Sequence, residues 1–398
     1  MPNSFDAAKL SPRDRRLSLG AVYACIFANG IGMGLSLPLL SLILERNGVS
    51  GTMNGLNAAF GALAMLAFTP FIPALAARFG TVRFLVACYV VAAISLLGFR
   101  ATNDLALWFA LRFALNCALQ GLFLVSEVWI NQIATDAVRG RLVAIYASIV
   151  SAGFAIGPII IQFLGTRGWA PFVAGAAMIM AALVPLLIAR RIVPPVEHAG
   201  ARAMLGFVFR SPSAAAAGLA YGAIEVCLAS FLTIYAIRLG SPEVSATLLI
   251  TAWGLGNMIL VPPIGWLADK IDRRLVLLLC GAVALVGAGL LPLTEGAGWA
   301  GLILAFVWGG FIAGLYAVGL AHLGSNFKGH DLAAANAAFS ILYAIGTFVG
   351  PGLGGIAIDV WKPHGLALVV GLISALFIAV VAYRTATFPR PRQTPAAP

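Results

Sequence analysis

The chain has 398 residues, of which 61% are hydrophobic and only 10% are charged. A soluble globular protein is typically about 45–50% apolar and about 25% charged, so the composition excludes an ordinary soluble domain and places most of the chain in lipid. The formal net charge of +11 is also typical of nucleic-acid binding, but the positions of the basic residues, described below, exclude a nucleic-acid partner.

Twelve runs of the sequence are long and apolar enough to span a membrane, which takes about 20 residues as a helix. They predict an all-α membrane protein. The third run is short by this criterion, and we expect it to extend into its flanks. The predicted spans are 18–43, 52–76, 84–99, 105–133, 142–164, 171–189, 213–237, 244–268, 275–292, 299–322, 332–358 and 365–383.

The basic residues lie mostly on one side of these spans. With both termini placed in the cytoplasm, 19 of the 25 Lys and Arg residues fall on the inner side, five on the outer side, and Arg112 inside a span. Such an excess is the usual sign of cytoplasmic loops, and these loops would face anionic lipid headgroups. We therefore predict a multi-pass protein of the bacterial inner membrane with both termini cytoplasmic. Its positive charge is expected to contact the lipid bilayer.

A central stretch at 190–212 divides the twelve spans into six and six. It is the longest predicted non-spanning segment and contains Arg190, Arg191 and two prolines. The predicted organisation is an N-terminal six-helix bundle over 1–189, a cytoplasmic linker over 190–212 and a C-terminal six-helix bundle over 213–398.

The two halves repeat each other at an offset of about 192 residues. The segment 75–80, Leu-Ala-Ala-Arg-Phe-Gly, falls opposite 267–272, Leu-Ala-Asp-Lys-Ile-Asp. A Gly-x3-Gly-Pro element in the fifth span, at 153–158, falls opposite another in the eleventh, at 346–351. Transporters are commonly built from such repeats, with the solute site near the midplane where the repeats meet.

The run 265–274, Gly-Trp-Leu-Ala-Asp-Lys-Ile-Asp-Arg-Arg, resembles the cytoplasmic loop motif of the major facilitator superfamily. The first-half copy departs from it, with Pro73 in place of the leading glycine and Ala77 in place of the aspartate. The stretch 126–131 with the Arg-Gly-Arg at 139–141 resembles bacterial YcaD-type carriers. This resemblance implies two pseudo-symmetric six-helix bundles around a cavity lined by spans one, four, seven and ten.

The resemblance also implies gating residues. The loop motif is expected to lock the inward gate, and the Gly-Pro elements resemble those associated with antiport and export. Glu127 lies near the inner end of the fourth span within reach of several arginines, so we predict a gate salt bridge there rather than solute contact. The predicted gating residues are Arg78, Glu127, Arg139, Gly157, Pro158, Asp269, Arg273, Gly350 and Pro351.

Glu225 is the strongest candidate for the transport chemistry. It lies about 18 Å into the seventh span, with Tyr221 one turn earlier on the same face. A charge at this depth costs about 2.5–3.5 kcal/mol on insertion scales, so a buried acid is a functional candidate that can exchange a proton or bind a solute group. The alternative is a carboxyl group that joins helices through a neighbouring hydroxyl.

The fourth span carries a polar stripe. Arg112, Asn116, Gln120, Glu127 and Asn131 share an arc of about 100° on an otherwise apolar helix. Such a face cannot point at lipid, so it lines water, a solute or a partner helix. We predict that Arg112 anchors a solute or modulates an acid; the alternative is a structural contact with a carbonyl or an acid.

Further candidates come from the first and tenth spans. Asn29 lies near the midplane among glycines that indicate either close helix packing or a hinge. Trp308 and Tyr316 could stack on an aromatic solute, because the resemblance places the tenth span at the cavity. The predicted solute- and proton-binding residues are Asn29, Arg112, Asn116, Gln120, Tyr221, Glu225, Trp308 and Tyr316.

The sequence contains no nucleotide-binding motif, no nucleophile–base pair and no metal-ligand spacing, so it predicts no enzyme, cofactor or metal site. We predict a monomeric, proton-coupled secondary transporter of a small organic solute. The scarcity of acids at the midplane argues against a strongly cationic drug. Two alternatives stay open, namely an importer of an aromatic nutrient such as riboflavin and a non-transporting receptor or scaffold.

Overall fold

The computed structural model describes residues 11–134, 139–194, 211–294, 298–326 and 329–387, and their regular structure is helical. Short 3₁₀ turns at Thr69–Phe71 and Leu291–Leu293 continue two of the helices. The helices are α1 Pro12–Arg46, α2 Gly51–Phe68, α3 Ile72–Phe79, α4 Thr81–Ala101, α5 Leu105–Ile133, α6 Arg139–Leu164, α7 Ala170–Ala181, α8 Leu183–Ile188, α9 Pro212–Arg238, α10 Glu243–Lys270, α11 Arg273–Leu290, α12 Trp299–Asn326, α13 Gly329–Val360 and α14 Gly365–Thr387.

The twelve predicted spans are confirmed. Among the described residues, twelve helices or helix pairs are long and apolar enough to cross a membrane, with α2–α3 and α7–α8 each counting as one. The short third run, predicted over 84–99, extends at both ends into α4, Thr81–Ala101. We call α1–α8 the N-half and α9–α14 the C-half.

Prolines break the second span. Pro70 and Pro73 lack a backbone N–H and cannot continue the α-helical hydrogen bonding, so α2 ends at Phe68, and α3 begins at Ile72 after the 3₁₀ turn. The predicted run 52–76 is therefore a kinked helix that lasts to Phe79. Gly80 ends it with a φ of 85°, a conformation that favours glycine.

The helix ends fall on two faces of the molecule. The terminal face is the side where α1 and α9 begin and α14 ends. The distal face is the side where α1 and α9 end, at Arg46 and Arg238. Residues 195–210 lie outside the described residues, so the structure describes only the ends of the predicted linker 190–212.

The two Gly-Pro elements make equivalent helix crossings. A Cβ atom on Gly157 in α6 would lie 2.1 Å from the carbonyl carbon of Gly34 in α1, and one on Gly350 in α13 would lie 2.0 Å from the carbonyl oxygen of Ala223 in α9. Only glycine allows backbones to approach this closely. The fifth span thus packs on the first as the eleventh packs on the seventh, which is the packing expected from the sequence repeat.

The prolines of these elements lie inside continuous helices. Pro158 is in α6 and Pro351 is in α13, as Pro38 is in α1. Membrane helices tolerate such prolines because neighbouring groups satisfy the carbonyl that each proline leaves free. A gating role for Pro158 and Pro351 stays a prediction.

Candidate transport site

Two tyrosines bond to Glu225, and a third tyrosine packs against their rings. Tyr221 in α9 donates its hydroxyl to Oε1 of Glu225 at 2.6 Å, and Tyr343 in α13 donates to Oε2 at 2.9 Å. The Tyr221 and Tyr343 rings are stacked with centroids 5.7 Å apart, and the ring of Tyr316 in α12 lies 5.2 and 5.6 Å from them. We call these four residues the tyrosine cluster.

Close helix packing assembles the cluster. A Cβ atom on Gly222 would lie 2.3 Å from the carbonyl oxygen of Tyr343, so the missing side chain lets α13 approach α9 next to Glu225. The predicted set contained Tyr221, Glu225 and Tyr316 but not Tyr343. The Gly-x3-Gly element that follows Tyr343 in α13 is the sequence signal that could have located it.

A second acid lies near this cluster. Glu127 in α5 and Tyr146 in α6, both in the N-half, are within electrostatic range of Tyr316 in the C-half. Glu127 is exposed, whereas Glu225, Tyr316 and Tyr343 are half-buried. Groups of both halves therefore lie around Tyr316.

Of the arginines predicted to lie within reach of Glu127, Arg78 does not pair with it in this structure. The Arg78 guanidinium lies instead over the Phe79 ring, 5.6 Å from its centroid. Arg139 begins α6, but its side chain is outside the described part of the chain. A gating role for these residues stays a prediction.

The loop motif is tied to its own half. Arg273 at the start of α11 pairs with Asp269, four residues earlier near the end of α10, at 3.3 Å, and its Nη1 donates to the carbonyl oxygen of Ala321 in α12 at 2.7 Å. The motif thus connects the terminal end of α10 to that of α12, and its role as a lock between the halves stays a prediction.

Arg112 makes a structural contact in this structure. Its side chain is 1% exposed, and Nη1 donates to the carbonyl oxygen of Ser36 in α1 at 3.2 Å. Within the described part of the chain, no carboxylate pairs with it. Arg112 lies about 22 Å from Glu127 along α5, toward the distal face.

The candidate amides also bond to their own or neighbouring helices. Asn29 donates to the carbonyl oxygen of Leu119 at 2.7 Å, and Gln120 donates to Oγ1 of Thr69 at 3.0 Å. Asn116 donates at 2.9 Å to the carbonyl oxygen one turn earlier in α5. The polar stripe of α5 therefore faces neighbouring helices along this stretch, which is one of the three situations predicted for it.

The prediction of a solute-facing ring at Trp308 needs correction. Trp308 is fully buried, and its Nε1 donates to the carbonyl oxygen of Ala284 in α11 at 3.0 Å. The indole fills the space left by Gly287. Trp308 therefore packs α12 against α11, whereas Tyr316, two turns later in α12, belongs to the cluster.

The sequence analysis missed an ion pair that joins the halves at the distal face. Arg238 at the end of α9 forms a bidentate pair with Glu45 at the end of α1, at 2.7 and 2.9 Å. Its third nitrogen donates to the carbonyl oxygen of Ile358 at 3.0 Å. Bidentate arginine–carboxylate pairs are among the stronger hydrogen-bonded contacts in proteins.

Two further contacts strengthen this junction. Arg46 pairs with Glu243 at the start of α10. Asp359 near the end of α13 accepts hydrogen bonds from the backbone of Gly51 and from the backbone and hydroxyl of Thr52, at 2.7–2.9 Å. A carboxylate at the N-terminus of α2 satisfies free N–H groups and the helix dipole. We call the Arg238–Glu45 pair, the Arg46–Glu243 pair and the contact of Asp359 with the start of α2 the distal clasp.

The halves also pack together beneath the clasp. Leu37 in α1 contacts Val226 and Ala229 in α9, and the rings of Phe154 and Trp253 lie 5.8 Å apart. As far as the described residues go, the hydrogen bonds and ion pairs between the halves all lie at the distal face. This conformation is closed at the distal face.

Comparison with known proteins gives the family. The model of the Major Facilitator Superfamily matches residues 22–248 and 214–398. The uncharacterized MFS-type transporter YfkF of Bacillus subtilis (strain 168) is 26% identical over 375 residues, covering 89% of this chain and 92% of that protein. The uncharacterized MFS-type transporter YcaD of Escherichia coli O7:K1 (strain IAI39 / ExPEC) is 23% identical over 292 residues, covering 71% and 74%.

Solved structures share the fold. The nucleoside transporter NupG superposes with a TM-score of 0.73 at 13% identity, covering 95% of this chain and 100% of that one. A bacterial homologue of the human lysosomal transporter Spinster, solved inward-facing and unoccupied, gives 0.72 at 15% identity, covering 97% and 100%. With its twelve spans and these matches, the chain belongs to the Major Facilitator Superfamily and is a multi-pass membrane transporter, not an enzyme.

Proposed function

We propose that this transporter is a proton-coupled secondary carrier that moves a small organic solute across the bacterial inner membrane by alternating access, as a monomer with both termini cytoplasmic. The observation that carries the proposal is Glu225, a half-buried acid in the middle of α9 that accepts two tyrosine hydroxyls. An ionisable group at this depth is costly, and a proton carrier needs such a group.

Protonation would change the geometry of the cluster. An ionised carboxylate accepts hydrogen bonds at both oxygens, whereas a protonated one must also donate. One of the two phenols, Tyr221 or Tyr343, would then have to turn or give up its hydrogen bond to Glu225. Loading the proton would thus reshape the surface available to a solute, which is how proton and solute binding become coupled.

Buried hydroxyl groups between the halves support alternating access. The hydroxyls of Ser41, Ser230 and Thr233 have no hydrogen-bond partner among the described residues, and each side chain is 1% exposed. Helical periodicity places them on the same faces as Leu37 in α1 and Val226 in α9. An unsatisfied buried hydroxyl costs free energy. In the opposite conformation this surface would be exposed to water, which would satisfy the hydroxyls, and this explains why the positions are polar.

The excess of basic residues on the terminal face supports a cytoplasmic position for that face. The distal clasp would then close the periplasmic side, and this conformation would exchange solute with the cytoplasm. The direction of net transport follows from the solute gradient and the coupling, which a transport assay can measure.

The test is accumulation in cells that express the chain, with and without a protonophore, of two labelled probes: riboflavin and a lipophilic cationic dye. We expect a gradient-dependent change in one probe, which Glu225→Gln abolishes and the control Asp104→Asn retains, because Asp104 only caps α5 at the surface. A gain of riboflavin would indicate an importer of aromatic nutrients, and a loss of dye would indicate an exporter. Unchanged gradient dependence in Glu225→Gln would contradict proton coupling through this residue.

A further inference from the structure

We infer that the tyrosine cluster and Glu127 together form a binding site for an organic cation, an amine or quaternary ammonium with an apolar or flat body. This inference rests on the proposed transport function and names its substrate class. The sequence alone argued against a cation because it placed a single acid at the midplane and assigned Glu127 to a gate. In the structure the Tyr316 ring packs against Tyr221 and Tyr343, which hold Glu225, and it is also within electrostatic range of Glu127.

The charge around this ring favours a cation. Glu127 belongs to the N-half and Glu225 to the C-half, and no basic side chain of the described residues pairs with either. The membrane-embedded base of the N-half, Arg112, is directed at Ser36 toward the distal face. Two carboxylates that have no paired base among the described residues attract a positive solute and repel a negative one.

The rings favour the same class of ligand. Aromatic faces carry negative electrostatic potential, and groups of aromatic side chains recognise quaternary ammonium ions. Tyr221, Tyr316 and Tyr343 are mutually in contact, and Phe339 packs against Tyr316 with centroids 5.1 Å apart. A neutral flat solute would gain stacking from these rings, whereas a cation would gain attraction to both the rings and the acids.

The acid is held in position before a solute arrives. Tyr221 and Tyr343 fix both oxygens of Glu225, so little ordering of this side chain is left to binding. A cation between Tyr316 and Glu127 would contact both halves, as alternating access requires of a solute at the repeat interface.

The experiment is equilibrium binding of radiolabelled tetraphenylphosphonium to the purified full chain in a neutral detergent. Radiolabelled tetraphenylborate, an anion of the same shape, is the matched probe in a separate measurement, because the two ions would pair in one solution. We expect saturable binding of the cation that benzyltrimethylammonium displaces, and no saturable binding of tetraphenylborate. Glu225→Gln and Tyr316→Leu should each weaken binding at least tenfold, and Glu127→Gln about threefold or more. Tyr316→Phe, which keeps the ring, should bind more tightly than Tyr316→Leu.

The control variant Asp104→Asn, with each variant checked for a single monodisperse peak, separates site effects from misfolding. Saturable binding of riboflavin without cation binding, or no charge-selective binding at all, overturns the cation site and leaves proton-coupled transport standing. Charge-selective binding that depends on Glu225, together with gradient dependence that survives Glu225→Gln in cells, supports the cation site and contradicts only the proposed coupling.

Discussion

Two glycines of α13 show how a single methyl group decides whether two membrane helices can meet. A Cβ atom on Gly350 would lie 2.0 Å from the Ala223 carbonyl oxygen in α9, whereas one on Gly352 would meet nothing within 4 Å. The obstructing atom is backbone and cannot rotate away. The crossing that brings Tyr343 to Glu225 therefore depends on Gly350 and not on its neighbour.

We predict that Gly350→Ala lowers the free energy of unfolding by about 1–3 kcal/mol, because overpacking forces the backbones apart. Gly352→Ala, in the same helix, should change it by less than about 0.5 kcal/mol. Thermal unfolding of the two purified variants in detergent measures the difference. Equal stability of both variants would contradict the close crossing of α13 on α9.

Within the described part of the chain, helix ends rather than helix faces make the polar connections between the halves. α1 and α9 are joined through Glu45 and Arg238, and the start of α2 is capped by Asp359 of α13. Both side chains of the first pair are about one-fifth exposed, so water and salt screen the attraction. We therefore expect the clasp to favour the closed conformation and still to open during the proposed transport cycle.

We predict that Arg238→Glu opens the distal face, because it places two carboxylates side by side, and that the double variant Glu45→Arg with Arg238→Glu closes it again. Spin labels at Asn47→Cys and Val244→Cys, both exposed at the distal face, report the distance by electron–electron double resonance. The five native cysteines are buried or half-buried, so the parent chain is the labelling control. A distance distribution that the single charge reversal leaves unchanged would count against the clasp as a gate.

At the scale of the whole molecule, two features near the distal face have opposite effects on its closure. The clasp favours closure, while the buried hydroxyls of Ser41, Ser230 and Thr233 oppose it, because they lose hydrogen bonds to water without gaining partners. Such a balance keeps two conformations close in free energy, as transport by alternating access needs.

We predict that the combined variant Ser41→Ala, Ser230→Ala and Thr233→Val stabilises the closed distal face by about 1 kcal/mol or more, about a fivefold change in the ratio of closed to open molecules. The same pair of spin labels should show a smaller open fraction, and turnover should fall. Ser374→Ala, whose hydroxyl bonds within α14, is the matched control. A larger open fraction in the triple variant would contradict this prediction.

The sequence alone determined the parts of the structure that depend on local composition. Apolar length located the twelve spans, and the two Gly-x3-Gly-Pro elements related the fifth span to the eleventh. The predicted neighbours Tyr221 and Glu225 are one helical turn apart, so their hydrogen bond follows from the periodicity of α9 itself.

Tertiary structure decided which side chains from distant parts of the chain meet. Tyr343 lies 118 residues from Glu225 in the chain, and Arg238 lies 193 residues from Glu45. Trp308 turns toward α11 and Tyr316 toward the cluster, although both lie in α12. Each of these outcomes depends on which helices are adjacent and on how each helix is rotated about its axis. Apolar periodicity constrains neither of these when a helix is hydrophobic around most of its circumference.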